Sequence, residues 1–239
     1  MFGAIESTNV VGYDTAALRG GGAAIGLGAS FVNVDKSDLT LGDVKVVGYT
    51  GEYADGQISA KKLNGAGVGG TEYFWFDVVD GADKYYGWYN NDGSICYNEE
   101  SLPVGEGLWI YSPSSDYKFQ SSGMVPTTPV TVTLRGGGAA KLVANPMPVQ
   151  LTLGQVTVSD GTTNGYADGQ ISAKKLNGAG VGGTEYFWYD TVDGTDVYYG
   201  WYNNDGSVNY NDVTLDPGET LWIYSPSTAY KVTFPAPAL

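Results

Sequence analysis

Histidine is absent from the 239 residues of this chain. That removes Ser-His-Asp triads, Cys-His pairs, histidine-bound zinc and most general-base schemes that work near neutral pH. Cysteine occurs once, as Cys96, so no disulfide can close within one chain. Basic residues are scarce, with 12 Lys plus Arg against 26 Asp plus Glu and a net charge of −14. Neutralising phosphates needs a basic face, and this chain offers none to nucleic acid or to an anionic membrane. No apolar run reaches the roughly 18 residues of a membrane-spanning helix. The opening MFGAIESTNVV has neither a basic n-region nor a sustained apolar h-region, so it does not read as a leader.

What the chain does have is a duplication. Residues 53–75, YADGQISAKKLNGAGVGGTEYFW, recur unchanged at 166–188, an offset of 113 residues. LWIYSPS follows at 108–114 and again at 221–227. From Tyr53 to Ser114, 12 of 62 positions differ between the copies, all at or beyond Phe76. One module is written twice, which predicts repeats over 1–122 and 123–239, related by a pseudo-twofold. Cys96 aligns with Asn209, which argues against a shared thiol nucleophile.

The 36 glycines, 19 tyrosines and 6 tryptophans, with many Asn, Thr and Val, favour strands and tight turns. Each copy opens on a valine-rich strand, NVVGY at 9–13 and PVTVTL at 129–134. LRGGGAA follows at 18–24 and 134–140, where the glycines predict a turn and a close backbone approach. The next stretch runs 16 residues (25–40) in one copy and 12 (141–152) in the other, as a surface loop or edge would. LGDVKV (41–46) and LGQVTV (153–158) predict strands, followed by QISAKKL, the connection NGAGVGG, TEYFWFDVV, KYYGWYN, SICYN and LWIYS. Asp-Gly in NNDGS supplies the positive φ of a hairpin turn. Eight to nine short strands per copy predict an all-β fold, two tandem antiparallel β-sandwich or open-barrel repeats.

The substitutions between copies assign faces. Phe76 becomes Tyr189 and Val78 becomes Thr191, while Tyr73, Trp75, Asp77 and Val79 are unchanged. Strand alternation then predicts Tyr73, Trp75 and Val79 inward and the even positions partly in solvent. LWIYS is apolar on both faces, which places it between two layers or under a partner.

Candidate chemistry is thin. Asp77, Asp80, Asp92 and Glu106 recur as Asp190, Asp193, Asp205 and Glu219, and paired carboxylates could run a glycosidase. Asp80 and Asp92 precede glycine, however, where turn geometry alone favours Asp. Neither Asp55-Gly56 nor Asp92-Gly93 carries the ligand spacing of an EF-hand loop, so no cofactor is expected, and calcium stays open only through another loop geometry. GWYNNDGS sets a Trp-Tyr pair before an amide- and carboxylate-rich turn, a combination suited to sugar rings. The candidate ligand residues are therefore Trp88, Tyr89, Asn91 and Asp92, repeated as Trp201, Tyr202, Asn204 and Asp205; packing within the sheet explains the same aromatics. Lys61-Lys62 and Lys174-Lys175 are expected in salt bridges or protecting an edge. Arg19 and Arg135, in LRGGG, are expected in structural ion pairs.

The succession of an NVVGY opener, an LxDV strand, a DGxI strand, a YxWxD strand, GWYNxDG and PGEGLWIxS resembles secreted, uncharacterised repeat modules of surface proteins from gut and aquatic bacteria. The likeness spans most of each copy, with MVPTTPV and GET as the second copy's departures. It implies an extracellular or envelope setting and no assigned chemistry. The sequence thus points to a non-enzymatic structural or surface-assembly protein that self-associates, with a bivalent carbohydrate-binding module as the alternative and a carboxylate-only glycosidase behind both.

Overall fold

A computed structural model describes residues 11–21, 24–31, 38–49, 58–63, 70–137, 139–159, 171–175, 183–226 and 230–237. The Asp55-Gly56 turn, most of the NGAGVGG connections and the first ten residues lie outside them.

The described chain is built of strands. The first half contains β1 (Val11–Ala17), β2 (Ala24–Gly28), β3 (Leu39–Thr40), β4 (Val44–Val47), β5 (Ser59–Lys62), β6 (Glu72–Asp80), β7 (Asp83–Tyr89), β8 (Ser101–Leu102), β9 (Gly107–Tyr111) and β10 (Lys118–Met124). The second repeats the series as β11 (Val130–Thr133), β12 (Ala140–Ala144), β13 (Leu151–Thr152), β14 (Thr157–Ser159), β15 (Ser172–Lys175), β16 (Glu185–Asp193), β17 (Asp196–Tyr202), β18 (Thr214–Leu215), β19 (Thr220–Tyr224) and β20 (Lys231–Phe234). Residue 122 of the expected division falls inside β10, and the second series of strands starts at Val130. Among the described residues no helix is long and apolar enough to cross a membrane.

Each half holds a five-stranded sheet, a three-stranded sheet and a two-stranded ribbon, all antiparallel. Their orders are β2-β9-β5-β6-β7, β1-β10-β4 and β3-β8, then β12-β19-β15-β16-β17, β11-β20-β14 and β13-β18. Phe31, Leu41, Ile58, Trp75, Trp88, Leu108, Ile110 and Phe119 form one core between the layers. Leu153, Ile171, Trp201, Leu221, Ile223, Val232 and Phe234 form its counterpart. Full burial of each such aliphatic or phenyl side chain is worth about 1.5–3 kcal/mol, which makes each half a sandwich with its own core.

The LGD and LGQ segments do not begin strands as the pattern predicts. Leu41–Asp43 and Leu153–Gln155 are single 3₁₀ turns, entered through capping boxes at Thr40 and Thr152. The Asp43 carboxylate accepts from the Thr40 amide at 2.8 Å, which offers the backbone a local alternative to the ladder. At LRGGG the expected close approach is present: a Cβ on Gly20 would lie 2.6 Å from the Ser115 amide nitrogen.

The halves touch through equivalent residues. The Gly28 amide donates to the Gly218 carbonyl and the Ala144 amide to the Gly105 carbonyl, both at 2.9 Å. Leu27 bridges Glu219, and Glu106 bridges Val143. Each contact thus recurs with the roles of the halves exchanged. Between these bonds the Trp109 and Trp222 rings meet edge to face, with centroids 5.7 Å apart. The two-sided apolar character of LWIYS is thereby explained. Leu108 and Ile110 enter the sandwich core, and Trp109 faces the other half.

Candidate functional site

The ligand candidates named from the sequence lie on the second strands of the β6–β7 and β16–β17 hairpins and in the loops that follow them. β7 and β17 carry Trp88, Tyr89, Trp201 and Tyr202, and the loops carry Asn91, Asp92, Asn204 and Asp205. Trp75 pairs with Trp88 across the first hairpin and Trp188 with Trp201 across the second. These rings lie on the inner face, edge to face at 5.3 and 5.4 Å. Trp88 and Trp201 are fully buried. Their indole nitrogens donate to the Val44 and Val156 carbonyls across the sandwich, at 3.0 and 2.8 Å. The expectation that they stack on a ligand is therefore corrected: their faces are core packing, because alternation turns this position toward the opposing sheet.

Tyr89 and Tyr202 point the other way. Tyr89 meets Phe76 at 5.4 Å and Tyr85 at 5.6 Å, giving an aromatic triad on the outer face. Tyr202 does the same with Tyr189 and Tyr198. Phe76 and Tyr189 are buried beneath their neighbours, contrary to the expected partial exposure. The Phe-to-Tyr change adds a bond rather than meeting solvent: the Tyr189 hydroxyl donates to the Asn204 carbonyl at 2.6 Å.

The loop beyond is closed on itself. The Asp92 carboxylate accepts from the Ser94 amide at 3.0 Å and from its hydroxyl, which holds the exposed Asp92 below the usual carboxylate range. Asn90 donates to the Ser94 hydroxyl and accepts from the Ile95 amide. Asp205, Ser207 and Asn203 repeat the arrangement. Asn91 and Asn204 are exposed at the loop tip. At the base, Gly87 and Gly200 adopt φ of 120° and 121°. A Cβ there would overlap the amide of Asn98 or Asn211. Asn98 Oδ1 accepts from the Trp88 amide at 2.8 Å while its nitrogen donates to the Tyr86 carbonyl. The glycine of GWYNNDGS thus admits an asparagine clamp, a partner the hairpin motif alone did not reveal.

Along the inner face exposure rises steeply toward the hairpin tip. Trp75 is buried and Asp77 half-buried, but Val79 is 67% exposed. The inward placement expected for Val79 fails because β6 outruns the opposing sheet. In the second hairpin Val192 is 64% exposed, and Val197, which stands where the first copy has Lys84, is 71% exposed. Tyr86 and Tyr199 stand beside these valines, and in the first tip Lys84 pairs with Val79 and lies over the Tyr86 ring.

The carboxylates stay apart. Asp80 ends β6 at the hairpin turn, Asp92 lies in the loop beyond the far end of β7, and Glu106 stands at the boundary between halves. Among the described residues no group of three His, Cys, Asp or Glu side chains could hold a metal ion. Lys61 pairs with Glu72 and Lys174 with Glu185 at 3.2 Å, while Lys62 reaches Glu100 and Lys175 reaches Glu219. The salt-bridge expectation holds for the lysines, although β5 and β15 lie inside their sheets rather than at an edge. Among the described residues no ion pair involves Arg19 or Arg135. Burial, reinforced by Glu100 and Glu106, pushes the Tyr73 hydroxyl up to about 12, so it remains a neutral core group. No protein-family model, no curated protein and no solved structure matches this chain.

Proposed function

We propose that this protein is a non-enzymatic, extracellular structural or surface-assembly subunit that self-associates through its hairpin tips. The observation that carries the reading is the repeated overhang: Val79 with Tyr86, and Val192 with Val197 and Tyr199, leave apolar side chains exposed at the ends of paired strands. Contiguous exposed apolar groups on a soluble protein mark contact surfaces. Two such tips give each chain a valence of two, and contacts that do not close on themselves grow into filaments or layers. The net charge of −14 keeps unassembled chains apart at low salt and makes association salt-dependent. The β2 and β12 edges are engaged by the other half and so are not the outward contacts in this reading. Negative-stain micrographs of concentrated protein test this. Ordered chains or sheets are expected, and uniformly dispersed particles at every salt concentration would refute it.

A carbohydrate-binding reading has one supporting observation. Half-buried Tyr85 and Tyr89, packed on Phe76, stand beside the Asn91-Asp92 loop tip, and Tyr198, Tyr202, Tyr189 and Asn204-Asp205 repeat the set. Aromatic faces beside amides and carboxylates suit pyranose rings, and two copies would raise avidity. Glycan-array binding lost on Tyr85→Ala with Tyr198→Ala would favour it over assembly; silence on the array removes it.

A further inference from the structure

The surface between the halves is reciprocal in its backbone but unequal in its side chains. Within the sheets Gly28 pairs with Gly107, and Ala144 pairs with Thr220 in the equivalent place. In the next row that faces the same way, Gly26 pairs with Trp109 and Leu142 with Trp222. At three equivalent positions, then, the first half has glycine where the second has Leu142, Ala144 or Thr220. Across the boundary Gly28 faces Ala144, and Gly107 faces Thr220 and Leu142. A Cβ on Gly28 would overlap that of Ala144 and lie 2.6 Å from the Glu106 carbonyl oxygen. A Cβ on Gly107 would lie 2.6 Å from Thr220 Cγ2 and 2.9 Å from Leu142 Cγ. Leu142 is buried against Trp109, Ala24 and Leu63 of the first half.

We infer that this surface is a lock for unlike halves: the glycine face of the first half takes the Leu142–Thr220 face of a second half as its partner and rejects a copy of itself. The bonds from Gly28 to Gly218 and from Ala144 to Gly105 have equal length, so they set the same backbone separation on both sides. At that separation there is room for one layer of side chains. Two second halves brought together would set Thr220 against Thr220 and Ala144 against Ala144. Overpacking of that kind forces side chains off their rotamers and shifts the backbone. Two first halves would set glycine against glycine, leaving unfilled the volume that Leu142 and Thr220 occupy and removing the packing of Leu142 on Trp109. Both like pairings are therefore disfavoured by shape, which is how specificity against wrong partners is built. Of the 12 differences between the copies over 53–114, Gly107/Thr220 is the one that removes a glycine, and it falls at this contact. The inference stands whether or not the hairpin tips drive assembly.

The test uses the full chain and turns on a sign. Gly107 lies within β9 at an ordinary strand φ, where replacement of glycine by alanine otherwise stabilises by reducing unfolded-chain freedom. With the second half seated on it, Gly107→Ala is expected to lower the melting temperature by roughly 5 °C. In a background carrying Thr220→Ser and Leu142→Ala, which trims the two side chains it would strike, the same change should cost less than half as much or become stabilising. If Gly107→Ala alone gives no folded protein, recovery of folded protein in the trimmed background reports the same coupling. An equal loss in both backgrounds, or a rise in melting temperature for Gly107→Ala alone, overturns the inference.

Discussion

The indole nitrogen of Trp88 donates to the Val44 carbonyl at 3.0 Å, tying the five-stranded sheet to the three-stranded one through a buried hydrogen bond. Trp201 and Val156 repeat the tie at 2.8 Å. Replacing Trp88 by Phe keeps an aromatic ring but leaves the Val44 carbonyl without its donor and removes packed volume. A loss of about 2–4 kcal/mol in urea unfolding is expected. Any glycan binding, if present, should survive in the folded fraction, since the ring faces no solvent.

The Tyr189 hydroxyl, bonded to the Asn204 carbonyl, has no counterpart at Phe76. Tyr189→Phe should cost about 0.5–1.5 kcal/mol, and Phe76→Tyr should gain a similar amount if the Asn91 carbonyl receives the new hydroxyl. Chemical denaturation of the two variants checks both signs.

Gly87→Ala combines a left-handed φ of 120° with overlap on the Asn98 amide. It should destabilise by at least about 2 kcal/mol. Asn98→Ala alone should cost about 1–3 kcal/mol by unpairing the Trp88 amide. Because the two lesions share one clamp, the double variant should lose less than the sum.

Burial pushes the Asp14 carboxyl above its ordinary range, against the pull of the Thr15 amide and the Ser30 hydroxyl, and Asp216 raises it further. A raised carboxyl favours folding while it is protonated; its contribution is full below the ordinary carboxylate range and is lost as pH rises through the raised value. Asp14→Asn should therefore stabilise the protein relative to wild type at about pH 7 and show little difference near about pH 3. Asp92 and Asp205 have the opposite sign. Their depressed carboxyls support the loop above the ordinary range and release it as pH falls through the lowered values. Paired melting curves across pH separate the two behaviours.

Much of the architecture was legible in the chain. Tyr73 and Trp75 point inward as the period of two predicts, the NNDGS segment is a closed turn, and Gly20 marks a close approach. What escaped has physical causes. Val79 obeys the alternation but lies past the end of the opposing sheet, a length mismatch no local pattern records. Phe76 faces outward yet is buried, because Tyr85 and Tyr89 close over it from the neighbouring strand. Trp88 read as a stacking platform since its sequence neighbours are polar, while its own side chain points to the opposite face. The partner covering Trp109 was the chain's own second copy, a relation visible only once both sheets are placed.

Sedimentation velocity on the full chain, compared with a variant carrying Val79→Lys, Val192→Lys and Val197→Lys, tests most directly whether the hairpin tips drive assembly. Wild-type protein should form larger species as concentration and salt rise, and the folded lysine variant should stay monomeric. A wild type that remains monomeric throughout, or a variant that assembles as readily, would contradict the proposed role.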